Sequence, residues 1–243
     1  MSAALSWADT LPERLAQRDW AQLEHDLDAD GHALLPQLLN AAECAALAQL
    51  YAQPALFRSR VRMAEHGFGR GEYQYFAYPL PAPLAQLRSL VYPRLLPIAR
   101  RWQQAMGGGV PYPDTHADFI ARCQAAGQQR PTPLLLQYGP GDYNCLHQDL
   151  YGEQWFPLQL AILLSEPGRD FQGGEFVLTE QRPRMQSRPM VLPWRQGDAL
   201  VFAVQQRPVQ GTRATYRVNL RHGVSRVRSG QRHCLGIIFH DAA

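Results

Sequence analysis

The chain is 243 residues long, carries a formal charge of +3, and draws all 24 of its basic residues from arginine. That length suffices for one compact domain with a full core, so a single domain over residues 1–243 is expected. No apolar run approaches the roughly 20 residues that a membrane-crossing helix needs, and Met1 to Asp9 offers no basic flank followed by a long apolar core, so a soluble, cytoplasmic protein is expected.

The elements then follow in chain order. Thr10 or Asp9 is placed to cap a helix over Pro12 to Leu27, which Asp28-Ala-Asp-Gly31 breaks. His32 to Leu35 reads as a short strand. Asn40-Ala-Ala-Glu43 is a capping-box arrangement ahead of a helix running to about Gln53. Prolines punctuate Pro79 to Pro93, and the next helix expected is Leu95 to Met106, stopped by Gly107-Gly-Gly109. His116, with Asp114 and Asp118 nearby, reads as part of a polar loop.

From about residue 130 the pattern changes to short strands: Leu134–Tyr138, Leu158–Leu164, Glu175–Thr179, Met190–Leu192, Ala199–Val204, Arg217–Val227 and Arg232–Phe239. The last two are expected to form a hairpin about the turn Arg228-Ser229-Gly230-Gln231. Many short strands with Gly and Pro turns argue for a β-sandwich or jelly roll. The fold class is therefore α+β, with a mainly helical part over 1–130 packed on a jelly-roll core over 131–241.

One constellation within that core carries chemistry. His147-Gln148-Asp149 is followed 73 residues after Asp149 by His222, and ten residues later by Arg232. Two imidazoles and one carboxylate are the facial ligand set of non-haem iron(II), which leaves positions open for a co-substrate and dioxygen. On an extended strand, residues two apart point the same way, roughly 7 Å apart, so His147 and Asp149 can grip one ion. Arg232 supplies a planar fork that stays charged when buried and matches a carboxylate.

These residues resemble the iron(II)/2-oxoglutarate-dependent dioxygenases, whose pattern is His-x-Asp, a distal His, and an Arg or Lys about ten residues on. Gly71-Glu-Tyr-Gln-Tyr-Phe76, Gly141 to Gly152, Gly173 to Arg188 and Phe239-His-Asp241 further resemble a bacterial branch labelled as an oxygenase of alkyl-damaged DNA. The resemblance implies a double-stranded β-helix core, Fe(II) on His147, Asp149 and His222, 2-oxoglutarate on Arg232, and O2 as oxidant. It also implies that Tyr138, ahead of Gly139-Pro-Gly, helps hold the co-substrate. Two departures separate the chain from the nucleic-acid-dealkylating members: Leu136 stands where those have Asn, and where those place two arginines farther beyond the distal His, this chain has the single Arg232 ten residues on.

Other residues leave alternatives open. Arg182, Arg184 and Arg188 either line the cleft for an anionic substrate or make ion pairs that hold their loop. Tyr73, Tyr75, Tyr151 and Trp155 either stack on substrate or serve packing. His233, His240 and Asp241 read as structural, and Asp198 as part of a tight turn. Cys44, Cys123, Cys145 and Cys234 form no Cys-x-x-Cys pair and read as free thiols. Three functions remain: an oxygenase of nucleic acid, the same chemistry on a protein side chain or small metabolite, and a non-catalytic jelly-roll module.

Overall fold

A computed structural model describes residues 7, 9–212 and 214–243. The N-terminal stretch read for a targeting signal includes residues 1–6 and 8, which lie outside those described. No helix among the described residues is long and apolar enough to cross a membrane.

The helices are α1 (Leu11–Ala16), α2 (Trp20–Asp30), α3 (Ala41–Gln49), α4 (Ala82–Ala105) and α5 (His116–Ala125). The strands are β1 (His32–Leu35), β2 (Phe57–Arg62), β3 (Gly69–Arg70), β4 (Glu72–Phe76), β5 (Leu134–Tyr138), β6 (Tyr143–His147), β7 (Leu158–Leu163) and β8 (Phe171–Gly173). They continue with β9 (Phe176–Gln181), β10 (Arg188–Leu192), β11 (Ala199–Ala203), β12 (Gln206–Gln210), β13 (Thr215–Val224), β14 (Val227–Gly230) and β15 (Arg232–Ile237).

The strands form a larger sheet ordered β1-β11-β7-β15-β5-β4-β2 and a smaller one ordered β10-β9-β13-β6-β3, with β12 beside β13. Pairing between named strands is antiparallel throughout. β7 and β11 in the middle of the larger sheet are buried along their whole length, the mark of strands covered on both faces. β9 alternates buried and half-buried or exposed residues, as a strand with one wet face does. The architecture is the α+β jelly roll expected, with helices laid on the larger sheet.

Four local expectations are corrected. The first helix is two helices, because Asp19 accepts the amide of Gln22 at 2.9 Å and caps a new start at Trp20. α4 runs unbroken through Pro93 and Pro97, where the prolines led us to expect no helix before Leu95. Both prolines lie exposed on one face, so the carbonyls that lose partners are open to water, while Leu84, Leu87, Val91, Leu95, Ile98 and Trp102 bury the opposite face.

His116 opens a helix rather than a polar loop. Thr115 caps it by accepting from the Asp118 amide, and the His116 ring is buried with Nε2 donating to the Phe239 carbonyl at 2.8 Å. The Arg217–Val227 and Arg232–Phe239 segments are not a hairpin. β13 pairs with β9, β12 and β6 in the smaller sheet, whereas β15 pairs with β5 and β7 in the larger one. Between them β14, which we read as a turn, pairs with β8.

Strands β8 and β12 were absent from the sequence reading, and so were β2, β3 and β4. These last three extend the larger sheet at one edge and supply the short edge of the smaller one. The capping box at Asn40 and Glu43 is present with both reciprocal bonds.

Candidate metal and co-substrate site

β6 ends at His147, which stands opposite His222 of β13. A register shift between His222 and Val224 brings Val224 opposite Asn144, so two residues on β13 face three on β6. The extra residue breaks strict alternation along β6, and both Asn144 and His147 line the cavity between the sheets. Asp149 lies just beyond the strand rather than on it. Gln148 between the two donates to the Leu220 carbonyl at 2.8 Å, which pins this extension to β13.

Donor atoms of His147, Asp149 and His222 all lie within 4.8 Å of one another. His147 Nε2 is 3.5 Å from Asp149 Oδ1, and His222 Nε2 is 3.2 Å from Asp149 Oδ2. Three donors about 2 Å from one ion on an octahedral face stand roughly 3 Å apart, so modest inward adjustment closes the set on a metal. The His147 Nδ1–H donates to the Cys145 carbonyl at 2.7 Å, which fixes the tautomer that aims the Nε2 lone pair at the site. The His222 ring stacks on Phe176 with 5.8 Å between centroids and meets Phe202 edge-on at 4.8 Å.

The charge states suit a cation. Burial raises the Asp149 carboxyl, but the His222 hydrogen bond, both nearby imidazoles and the Tyr151 hydroxyl hold it well below the usual carboxylate range. Burial and the neighbouring His147 hold His222 below its ordinary value, against the pull of Asp149. An ionised carboxylate with a neutral imidazole is what a divalent metal requires. The donor set therefore fits iron(II).

On the other wall, Arg232 opens β15 directly opposite Tyr138, the last residue of β5. Arg232 is 1 % exposed, its Nε and one terminal nitrogen have no partner, and the Tyr138 hydroxyl has none either. The guanidinium sits among the rings of Tyr138, Trp194 and Phe171 at 5.4, 5.7 and 5.8 Å, and makes no salt bridge among the described residues. Burial raises the Tyr138 hydroxyl despite the neighbouring cation, so it remains a donor. A buried cation without a counter-charge is costly, and donors left open on the same cavity define an anion site.

The triad, Arg232 and Tyr138 share one cavity of about 290 Å³. Gly71, in the motif singled out from sequence, has φ +109°, and a Cβ there would stand 2.9 Å from a Tyr138 ring carbon. Its lack of a side chain lets the ring lie where it does.

Other singled-out residues separate. Leu136, Tyr73 and Tyr151 line the cavity. Tyr75 backs it, meeting Tyr73 and Tyr151 edge-on at 5.3 and 6.2 Å. Trp155 lies at a different hollow, with Gln103 and Arg217. Arg182 and Arg188 stand 3.0 and 3.7 Å from Glu180 and do not line the cavity, so ion pairing is the reading the geometry favours for them. His233 lies beside the Tyr51 ring, outside the cavity lining, and Asp241 is buried in an ion pair with Arg88 at 2.8 Å. Asp198 accepts the amides of Gln37 and Arg195, each at 2.8 Å.

Two polar cavity residues were missed in the sequence, Asn144 and Gln159. Gln159 carried a signal, as the one polar residue in an otherwise apolar strand. Asn144 carried none, because only the bulge turns it inward.

Residues 71–242 match the model of a family described as an oxygenase catalysing oxidative methylation of damaged DNA. The chain belongs to this oxygenase family. The non-catalytic module left open by the sequence is thereby set aside. An uncharacterized protein of Mycobacterium tuberculosis (strain H37Rv) is 51 % identical to this oxygenase over 168 residues, covering 69 % of this chain and 72 % of that one.

Solved structures share the fold at low identity. A Pseudomonas putida prolyl-4-hydroxylase has a TM-score of 0.54 at 14 % identity, covering 92 % of this chain and 99 % of that one. A Burkholderia pseudomallei oxidoreductase of the 2OG-Fe(II) oxygenase family has a TM-score of 0.52 at 18 % identity, covering 93 % and 94 %.

Proposed function

We propose that this oxygenase depends on Fe(II), 2-oxoglutarate and O2, and that it couples oxidative decarboxylation of the keto acid to oxidation of a C–H bond in its substrate. The observation that carries the reading is the pairing of a two-histidine, one-aspartate cluster with a buried, unpartnered Arg232 on the same cavity. His147, Asp149 and His222 would hold the metal. Arg232 and Tyr138 would take the far carboxylate of the co-substrate, the cation by charge and the phenol by a hydrogen bond.

When bound, iron(II) and 2-oxoglutarate supply the oxidation: the keto acid leaves as succinate and carbon dioxide, and the remaining oxygen atom goes to the substrate. The protein's part is positional. Cys145 and Asp149 orient the imidazoles, the triad lies at the cavity wall opposite Arg232, and apolar residues such as Leu136, Leu160 and Phe202 keep the interior dry.

The test is anaerobic titration of the metal-free protein with iron(II) and 2-oxoglutarate, following the weak visible charge-transfer band of the chelate. We expect a band in wild type, none in His147→Ala, and a higher 2-oxoglutarate requirement in Arg232→Ala. Well-folded wild type without a band would sink the reading.

For the substrate, the family description of damaged DNA favours a nucleic acid; we infer an alkylated one, oxidised by hydroxylation or oxidative demethylation. Leu136 on the cavity wall is the observation that supports a protein side chain or small metabolite instead, since it replaces a polar residue of the nucleic-acid-dealkylating pattern. Affinity for DNA or RNA that falls steeply with salt separates these, because phosphate contacts release counterions.

A further inference from the structure

β7 reads Leu158-Gln159-Leu160-Ala161-Ile162-Leu163, and Gln159 is its one polar side chain. It is 4 % exposed, stands opposite Phe202 of β11, and lies between Leu158 and Leu160 in the strand. Burying an amide costs free energy unless its hydrogen bonds are restored. The bonds Gln159 makes go to the metal-ligand cluster: Nε2 is 2.9 Å from Asp149 Oδ2 and 3.3 Å from His222 Nε2, while Oε1 has no partner. An apolar residue would serve packing better at this position.

The other carboxylate oxygen is held from a different direction. The Tyr151 hydroxyl donates to Asp149 Oδ1 at 2.6 Å, and the Tyr151 ring is fixed edge-on to Tyr75 and beside His240. Asp149 is thus gripped at one oxygen by the larger sheet and at the other by the segment that follows it.

We propose that Gln159 and Tyr151 are positioning residues that hold the Asp149 carboxylate in a single orientation. With each oxygen engaged by its own donor, the carboxylate would offer a metal one oxygen rather than both, which would leave room in the site for co-substrate and dioxygen. A carboxylate free to rotate takes cations through one or both oxygens. The inference rests on the metal-binding reading above and assigns what enforces its geometry.

Cobalt(II) titration of the metal-free protein, followed by the visible ligand-field spectrum, tests it without turnover. Gln159→Leu and Tyr151→Phe should each weaken cobalt binding about 10- to 100-fold and alter band intensity, which reports coordination number. The thermal midpoint of metal-free Gln159→Leu should lie close to wild type, because loss of a half-satisfied buried amide offsets the donor that Asp149 loses. Gln159→Met, which keeps the side-chain length, gives the same reading should leucine pack badly.

Wild-type affinity and spectrum in these variants would overturn the proposal. So would a lowered midpoint with unchanged cobalt binding, which would leave Gln159 a purely structural role. Wild-type protein that takes up no cobalt would instead overturn the metal reading on which the proposal stands.

Discussion

Arg232 and Tyr138 face each other across β15 and β5, and both present polar atoms without protein partners to one cavity. Side chains directly opposite on antiparallel strands project to the same side, so the register itself assembles the anion site.

The first prediction follows from that unpaired cation. Arg232→Met should stabilise the unloaded protein by roughly 1–3 kcal/mol, because a buried charge without a partner is replaced by an apolar chain of similar length. The same variant should lose the rise in thermal midpoint that 2-oxoglutarate confers on wild type. Urea unfolding and thermal shift measure the two effects. A destabilised Arg232→Met that still responds to 2-oxoglutarate would show that the guanidinium is paid for by packing instead.

Asp149→Asn keeps the shape of the side chain and removes its charge. With its carboxyl held ionised by His222 and its other neighbours, Asp149 supplies the only negative charge in the candidate ligand set. Manganese(II) affinity measured by equilibrium dialysis should fall at least about 10-fold. Equal affinities would remove Asp149 from the ligand set.

Stability should depend on pH through His116 and His240. Burial, reinforced by the nearby Arg88, holds both imidazoles down to about 3. The unfolded chain takes up these protons below about pH 6.5 while the folded chain does not. Stability is therefore complete above that pH and falls as the pH drops toward 3, by about 1.4 kcal/mol per unit for each histidine. Urea unfolding at pH 7.5 and pH 5 should show the loss, and His116→Gln should reduce it. Acid-insensitive stability across that window would contradict the buried, neutral assignment.

Gly71→Ala should disturb the co-substrate half of the site selectively. The new Cβ would press on the Tyr138 ring from a left-handed backbone position, a strain of order 1–3 kcal/mol. The 2-oxoglutarate requirement should rise about 10-fold, with metal affinity in the absence of co-substrate near wild type. Parallel losses of both would show that Gly71 supports the whole cavity.

Local chemistry decided how much was readable in advance. β1 and β5 have the expected bounds because short apolar runs lie between strong turn signals. His147, Asp149, His222 and Arg232 were found by spacing, and the structure brings all four to one cavity. α4 was misjudged because two prolines weigh against a helix locally, and only burial of the opposite face offsets them. The arginines that alternate in Phe57-Arg58-Ser59-Arg60-Val61-Arg62, Arg60 and Arg62 of them exposed, marked an edge strand that went unread. Asn144 depends on a bulge, and a bulge is a property of two strands together.

The chain passes from β13 to β15 by changing sheets, so His222 and Arg232, only ten residues apart, sit on opposing walls. An occupant reaching from the metal cluster to the guanidinium therefore acts as a cross-brace between two layers that otherwise meet through apolar packing and the contacts of Gln159. Loading the cavity is then a mechanical event as well as a chemical one: amide hydrogen exchange should slow in both layers together, and the empty protein is the looser of the two states.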